Sequence, residues 1–256
     1  MKPLALSLIC CACALAQTHH LAPDADTPVD LAKLPKPIAI DGIGHSHIPI
    51  TTKSPEAQRW FDQGLALLHC FWDYEALRAF EEAVRLDPDC AMCHWGLARA
   101  LTLHGGDHDA AKAEIAKAKD LSDKAYDHEQ RYIRADAASA DEKGDEGDKA
   151  YAKEMEALIQ HYPDDVEAKL FYVLSLNHGY DDKGDPRTGT FYGQAMLREL
   201  LRQYPDNAAA NHYWIHAVEG SDHPEWALDS AAKLGALAPA SGHMVHMPGH
   251  IYFRTG

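Results

Sequence analysis

One spacing constrains this chain more than any other feature. Pro-Asp pairs recur at Pro88-Asp89, Pro163-Asp164 and Pro205-Asp206, and Pro239 follows. Proline removes a backbone donor and breaks a helix, so each mark ends one helical segment and starts another. Pro205 to Pro239 is 34 residues, the length of a helix–turn–helix repeat. Pro163 to Pro205 is 42 residues, one period with the Gly-rich stretch Gly179 to Gly189 inserted. Pro88 to Pro163 is 75 residues, two periods with the acidic stretch Asp141 to Asp148 inserted as a solvated loop. Between the marks the apolar residues keep helical spacing. Helix pairs are expected near 55–70 and 74–86, 90–104 and 107–120, 124–139 and 148–161, 165–178 and 190–203, and 207–219 and 224–237. A lone helix is expected from about 242. Ser54, with Glu56 in the following turn, caps the first helix, and Asp89 is expected to cap the third.

The first pair carries a packing pattern. With Ala57 as position 1, Trp60, Gly64, Ala76, Phe80, Ala83 and Pro88 fall at positions 4, 8, 20, 24, 27 and 32. Small Gly64 and Ala76 let two antiparallel helices approach, and Trp60 and Phe80 fill the seam. Ala110 and Ala227 recur at position 20 of later repeats. This pattern resembles the tetratricopeptide repeat, over roughly residues 54–256. The resemblance implies an all-α fold, a right-handed α-solenoid of antiparallel helix pairs. The segments Cys90-Ala91-Met92-Cys93-His94-Trp95-Gly96, Asn211 to Glu219 and Gly242 to Tyr252 are similar to those of a group of secreted bacterial tetratricopeptide proteins. Members of that group run longer. A solenoid needs a polar cap on its last repeat, so an array that stops at Gly256, halfway through a sixth unit, reads as part of a longer one.

Residues 1–16 read as a secretory signal peptide. Lys2 is the positive start, Leu4 to Ala14 the apolar core, and Ala14-Leu15-Ala16 the cleavage pattern. Residues 17–53 form an irregular N-terminal arm. The expected location is periplasmic or secreted. None of Cys10, Cys11 or Cys13 follows a good lipid-attachment triplet, and no later segment is apolar enough to span a membrane. The formal net charge of −15 argues against nucleic acid, whose phosphates require Lys/Arg stripes, and favours a basic partner.

Seventeen histidines are an excess, and their register matters. In the family that this chain resembles, positions 2, 5, 9, 12 and 13 of each first helix face a concave groove, where a peptide or protein partner would bind. His212, His216 and Glu219 are positions 5, 9 and 12 of the fifth repeat. His243, His246 and His250 are positions 2, 5 and 9 of the sixth. His212 therefore faces His246, and His216 faces His250, on neighbouring helices. Glu167, Asn177 and His178 occupy groove positions in the fourth repeat, and His69 in the first. Met244 and Met247 point away, which discounts a thioether copper site. Imidazole and carboxylate at these positions predict a transition-metal site for zinc, copper or iron. With solvent on the metal, hydrolytic or redox chemistry becomes available, with Glu219 or a spare histidine as base. No His-Glu-x-x-His motif is present, so proteolysis is not expected, and binding is favoured over catalysis. Pro248 should open the last helix and re-aim His250. His45-Ser46-His47 could fold back as a further ligand pair, although a surface arm is the plainer reading.

Cys90-Ala91-Met92-Cys93-His94 also matches the pattern of covalent haem attachment. Against haem, His94 falls on the buried seam position of its repeat. A local Cys90–Cys93 bridge, or two reduced thiols, fits better. Cys70 lies too far from Cys90 to pair with it.

Overall fold

The computed structural model describes residues 30–104, 107–142, 144–176 and 179–256. The segment read as a signal peptide, with Cys10, Cys11 and Cys13, lies outside the described residues, as do the start of the arm and Asn177 and His178. Among the described residues the chain is helical, without strands beyond an isolated bridge between Tyr180 and Pro186.

The helices are α1 (Pro55–His69), α2 (Asp73–Leu86), α3 (Ala91–Leu103), α4 (His108–Leu121), α5 (Asp127–Ala140) and α6 (Asp145–His161). There follow α7 (Val166–Leu176), α8 (Thr190–Gln203), α9 (Ala208–Glu219), α10 (Leu228–Leu237), α11 (Gly242–His246) and α12 (Pro248–Thr255). Each packs on the next in sequence. The odd-numbered helices also touch one another, α1 on α3, α3 on α5 and α7 on α9, and α1 meets α9 directly.

The Pro-Asp marks resolve into one repeated device. Cys90 N–H donates to Asp87 C=O, Asp165 to Tyr162, Asn207 to Tyr204 and Ser241 to Ala238, each across a turn with proline in its second position. The residue two after the proline then caps the following helix. Cys90 sulfur accepts from Cys93 N–H, Asp165 from Ala168, Asn207 from Ala210 and Ser241 from Met244. The expected Asp89 cap is therefore corrected. The residue after the proline completes the turn, and its neighbour faces the free N–H groups of the helix.

Phe80 of α2 is fully buried between two glycines. A Cβ on Gly64 of α1 or on Gly96 of α3 would stand 2.7 or 2.3 Å from its ring. The seam expectation holds for Phe80, Gly64 and Ala76 but not for Trp60, which is only partly buried. Its neighbour Phe61 fills that place, with its ring centroid 5.5 Å from Phe80 and 6.2 Å from Trp95. Deeper in, Trp95, Tyr132 and Phe171 meet edge to face. Arg99 lies over the Phe171 ring and pairs with Asp136 at 2.8 Å. Asp136 also accepts from Trp95 Nε1.

The arm crosses several helices without regular structure apart from a short turn at Leu31–Lys33. Thr51 gives its N–H and hydroxyl to Glu129 on α5, and the Thr52 hydroxyl and the Lys53 backbone N–H donate to Asp87. Ala240 N–H donates to Gly42 C=O. Gly44, at φ +83°, lies so close to α9 that a Cβ there would be 2.9 Å from the Ala208 methyl. Ile43 and Ile48 are buried. The arm thus ties α2, α5 and α9 together.

The expected helix limits agree with the observed ones to within a few residues, with four differences. The helix expected from 148 begins at Asp145, so part of the acidic stretch expected as a loop forms its first turn. The helix expected from 124 begins at Asp127, where Glu129 accepts from Tyr126 N–H after a tight turn at Ser122–Lys124. The helix expected over 224–237 is split into a 3-10 turn, Pro224–Ala227, and α10. The last helix divides at Met247, because Pro248 has no N–H for the carbonyl of Met244. Met247 keeps helical angles (φ −53°, ψ −37°), so the ladder is interrupted while the direction continues.

Candidate metal centre

His212 and His216 lie four residues apart on α9 and so share a face. Asn207 fixes where that helix starts, and Ser241 fixes the start of α11, whose second residue is His243. The opposite face of the terminal segment anchors it, since Met244 and Met247 are buried in the core, as their register predicted. The result is a convergence of three imidazoles. His212 Nε2 is 2.9 Å from His243 Nε2 and 3.1 Å from His216 Nε2. These three residues form a group that could hold a metal ion, with ligand atoms all within 4.8 Å of one another. A tetrahedral ion with bonds of 2.0–2.1 Å holds its ligand nitrogens about 3.3 Å apart.

The opposite ring nitrogens decide what those Nε2 atoms carry. His212 Nδ1 is 2.7 Å from the backbone carbonyl of His69. A carbonyl only accepts, so Nδ1 holds the hydrogen and Nε2 of the neutral ring holds a lone pair. Full burial pushes the His212 pKa well below its usual value, and the neighbouring His216 and His243 push the same way. His216 Nδ1 is 2.8 Å from Glu219 Oε1, which likewise turns its Nε2 lone pair toward His212. Burial alone would raise the Glu219 pKa, but hydrogen bonds from His216 and His250 outweigh it and hold the carboxyl below its ordinary range.

Phe71 closes one side of the group. It follows α1 in the left-handed region at φ 52°, a strained conformation for a residue with a Cβ. Its ring stacks on His216 at 5.4 Å and touches His212 at 4.6 Å and His243 at 5.3 Å.

The expected ligand set is therefore divided. His212, His216 and His243 meet. Glu219 is not among them but binds the outer nitrogen of His216. His246 faces His250, with Nε2 atoms 2.9 Å apart, rather than facing His212. His250 Nδ1 contacts the second oxygen of Glu219 at 2.5 Å. The register of parallel neighbours fails because α11 is only five residues long, and the helix after it, α12, makes the fuller contact with α9.

Of the other groove positions, the described ones, His69 and Glu167, are not an open surface. His69 and Glu167 are buried and joined at 2.7 Å, and the second nitrogen of His69 lies 2.7 Å from the Tyr213 hydroxyl. This contact links α1, α7 and α9 at positions that were expected to face a groove. His47 binds Asp62 on α1 at 2.9 Å. With His45 it lines a cleft beside His128 and His161, away from the three imidazoles. The reading of His45 and His47 as further ligands is corrected accordingly.

Cys90 and Cys93 are disulfide-bonded, with Cα atoms 5.3 Å apart. His94 is buried, with Glu114 at 2.6 Å from one ring nitrogen and the Pro88 carbonyl at 3.0 Å from the other. Paired sulfurs and an imidazole engaged at both nitrogens do not fit covalent haem. Cys70 is buried with its thiol on the Ile43 carbonyl, and burial pushes its pKa up to about 12.

Sequence reasoning missed Phe71 and the His69 carbonyl. A phenylalanine after a helix carries no sign of left-handed geometry, and a backbone acceptor carries no residue signature at all. No model of a known protein family matches the chain, and no curated protein matches it.

Proposed function

We propose that this protein is an exported, tetratricopeptide-like helical array that holds a transition metal at His212, His216 and His243. The observation that carries this reading is the convergence of three imidazole Nε2 atoms, His212 lying 2.9 Å from His243 and 3.1 Å from His216. The lone pairs of His212 and His216 face each other at 3.1 Å, an arrangement that a proton or a cation between them stabilises. Full burial of His212 keeps its ring neutral, the state in which imidazole ligates a metal. Hydrogen bonds from the outer nitrogens to a carbonyl and a carboxylate are the arrangement that orients histidine ligands and raises their basicity. Three nitrogen donors suit zinc, copper or iron(II), and they leave a coordination position for water or a small ligand.

Elemental analysis of protein produced without an affinity tag tests the reading. Near-stoichiometric zinc, copper or iron in the parent, lost from the His212→Ala/His216→Ala/His243→Ala variant, is the expected result. Equal metal content in parent and variant would rule the site out.

A further inference from the structure

We infer that His246 and His250 form a second, solvent-open cation site, aimed by the same carboxylate that orients His216. This goes beyond the metal centre proposed above, because neither residue belongs to that group of three.

Three observations carry it. The two Nε2 atoms are 2.9 Å apart although Pro248 interrupts the helix between them. The interruption tightens the turn, and His250 N–H donates to Met247 C=O, three residues back. Second, the His250 ring is not loose. Its Nδ1 lies against Glu219 Oε2, and a carboxylate accepts, so Nε2 of the neutral ring presents its lone pair toward His246. Arg254 reinforces the placement by donating to the Glu219 backbone carbonyl, which ties α12 to the end of α9. Third, the pair is accessible. His246 is exposed and the His250 side chain is 38% exposed, whereas His212 is fully buried.

Two imidazoles with water completing the shell suit a borderline divalent ion such as Zn²⁺ or Cu²⁺. With fewer protein ligands and free solvent access, this site binds more weakly and exchanges faster than the three-histidine centre. Glu219 grips one imidazole of each site, Oε1 on His216 and Oε2 on His250. Outer-sphere partners of this kind contribute about 10–100-fold in metal affinity. The single carboxylate therefore supports both sites.

Calorimetric titration of metal-stripped protein with Zn²⁺ tests the proposal. The parent should bind in two steps, one tight and one weak. His246→Ala/His250→Ala should remove the weak step and keep the tight one. The His212→Ala/His216→Ala/His243→Ala variant should do the reverse. Glu219→Gln should weaken both steps about 10–100-fold. A weak step unchanged in His246→Ala/His250→Ala, and equally in His246→Gln/His250→Gln, would overturn the proposal, as would a parent that binds only in the tight step. Loss of the tight step alone from the parent would instead count against the three-histidine centre, so the two failures are distinct.

Discussion

His212 holds the centre together because its two ring nitrogens have opposite tasks. One is fixed on the His69 carbonyl, and the other faces two more imidazoles inside a fully buried environment. Phe71 sits against the same rings at a backbone angle that costs a residue with a Cβ roughly 1–2 kcal/mol. Truncation there separates ring from backbone. Phe71→Ala loses the stacking and keeps the strain, whereas Phe71→Gly loses the stacking and relieves it. Urea unfolding should find the Gly variant more stable than the Ala variant by about 1 kcal/mol. Equal stabilities would mean that the left-handed angle is not retained in solution. Cys70 has a different fate. With its pKa pushed up to about 12, it should resist alkylation at pH 8 in the folded protein and react only after denaturation.

At the scale of elements, the turn-and-cap device and the glycine seam set where the histidines stand. Asn207→Ala removes the α9 cap and should cost about 1 kcal/mol, measured by denaturant unfolding. Gly96→Ala drives a methyl into the Phe80 ring and should cost about 1–3 kcal/mol. In a Phe80→Leu background the same change should cost less, since the two residues share one contact. These features were legible from residues alone to different degrees. Helix limits were readable because Pro88, Pro163, Pro205 and Pro239 punctuate the chain. The cap position was not, because Asp89 and Cys90 are both plausible until the turn fixes which side chain meets the free N–H groups. His212 and His216 were readable as one helical face. Their partnership with His243 rather than His246 depended on the terminal segment dividing into a five-residue α11 and an α12 that packs on α9, which no register taken from longer repeats conveys. Glu219 was placed on the right face but one layer too close to the centre, because an i, i+3 carboxylate serves a histidine as readily as it serves a metal.

At the scale of the whole molecule, contacts between α1, α7 and α9 join helices distant in sequence into one support for the site. His69 binds Glu167 and Tyr213 through its ring and His212 through its carbonyl. Metal should therefore stabilise the entire fold, by about 2.7 kcal/mol at a free concentration one hundred times the dissociation constant. Thermal unfolding with and without Zn²⁺ measures this. Acid acts on the fold in two ways. Protons compete for the imidazole nitrogens, so metal affinity falls as pH falls. Independently, burial would raise the Asp87 pKa, but Thr52 and the Lys53 and Asp89 backbone outweigh it and leave it below the usual value. A carboxyl depressed in the folded state stabilises above its unfolded pKa, near 4, and that stability is lost as pH drops further. Asp87→Asn should flatten the acid limb of stability against pH in metal-free protein and leave the neutral region with a constant offset. The measurement that bears most directly on the central claim is anomalous diffraction from metal-loaded crystals, collected at the absorption edge of the bound ion. A peak about 2.0–2.1 Å from Nε2 of His212, His216 and His243 is the predicted result. A loaded crystal whose peaks all lie away from those three nitrogens would contradict it.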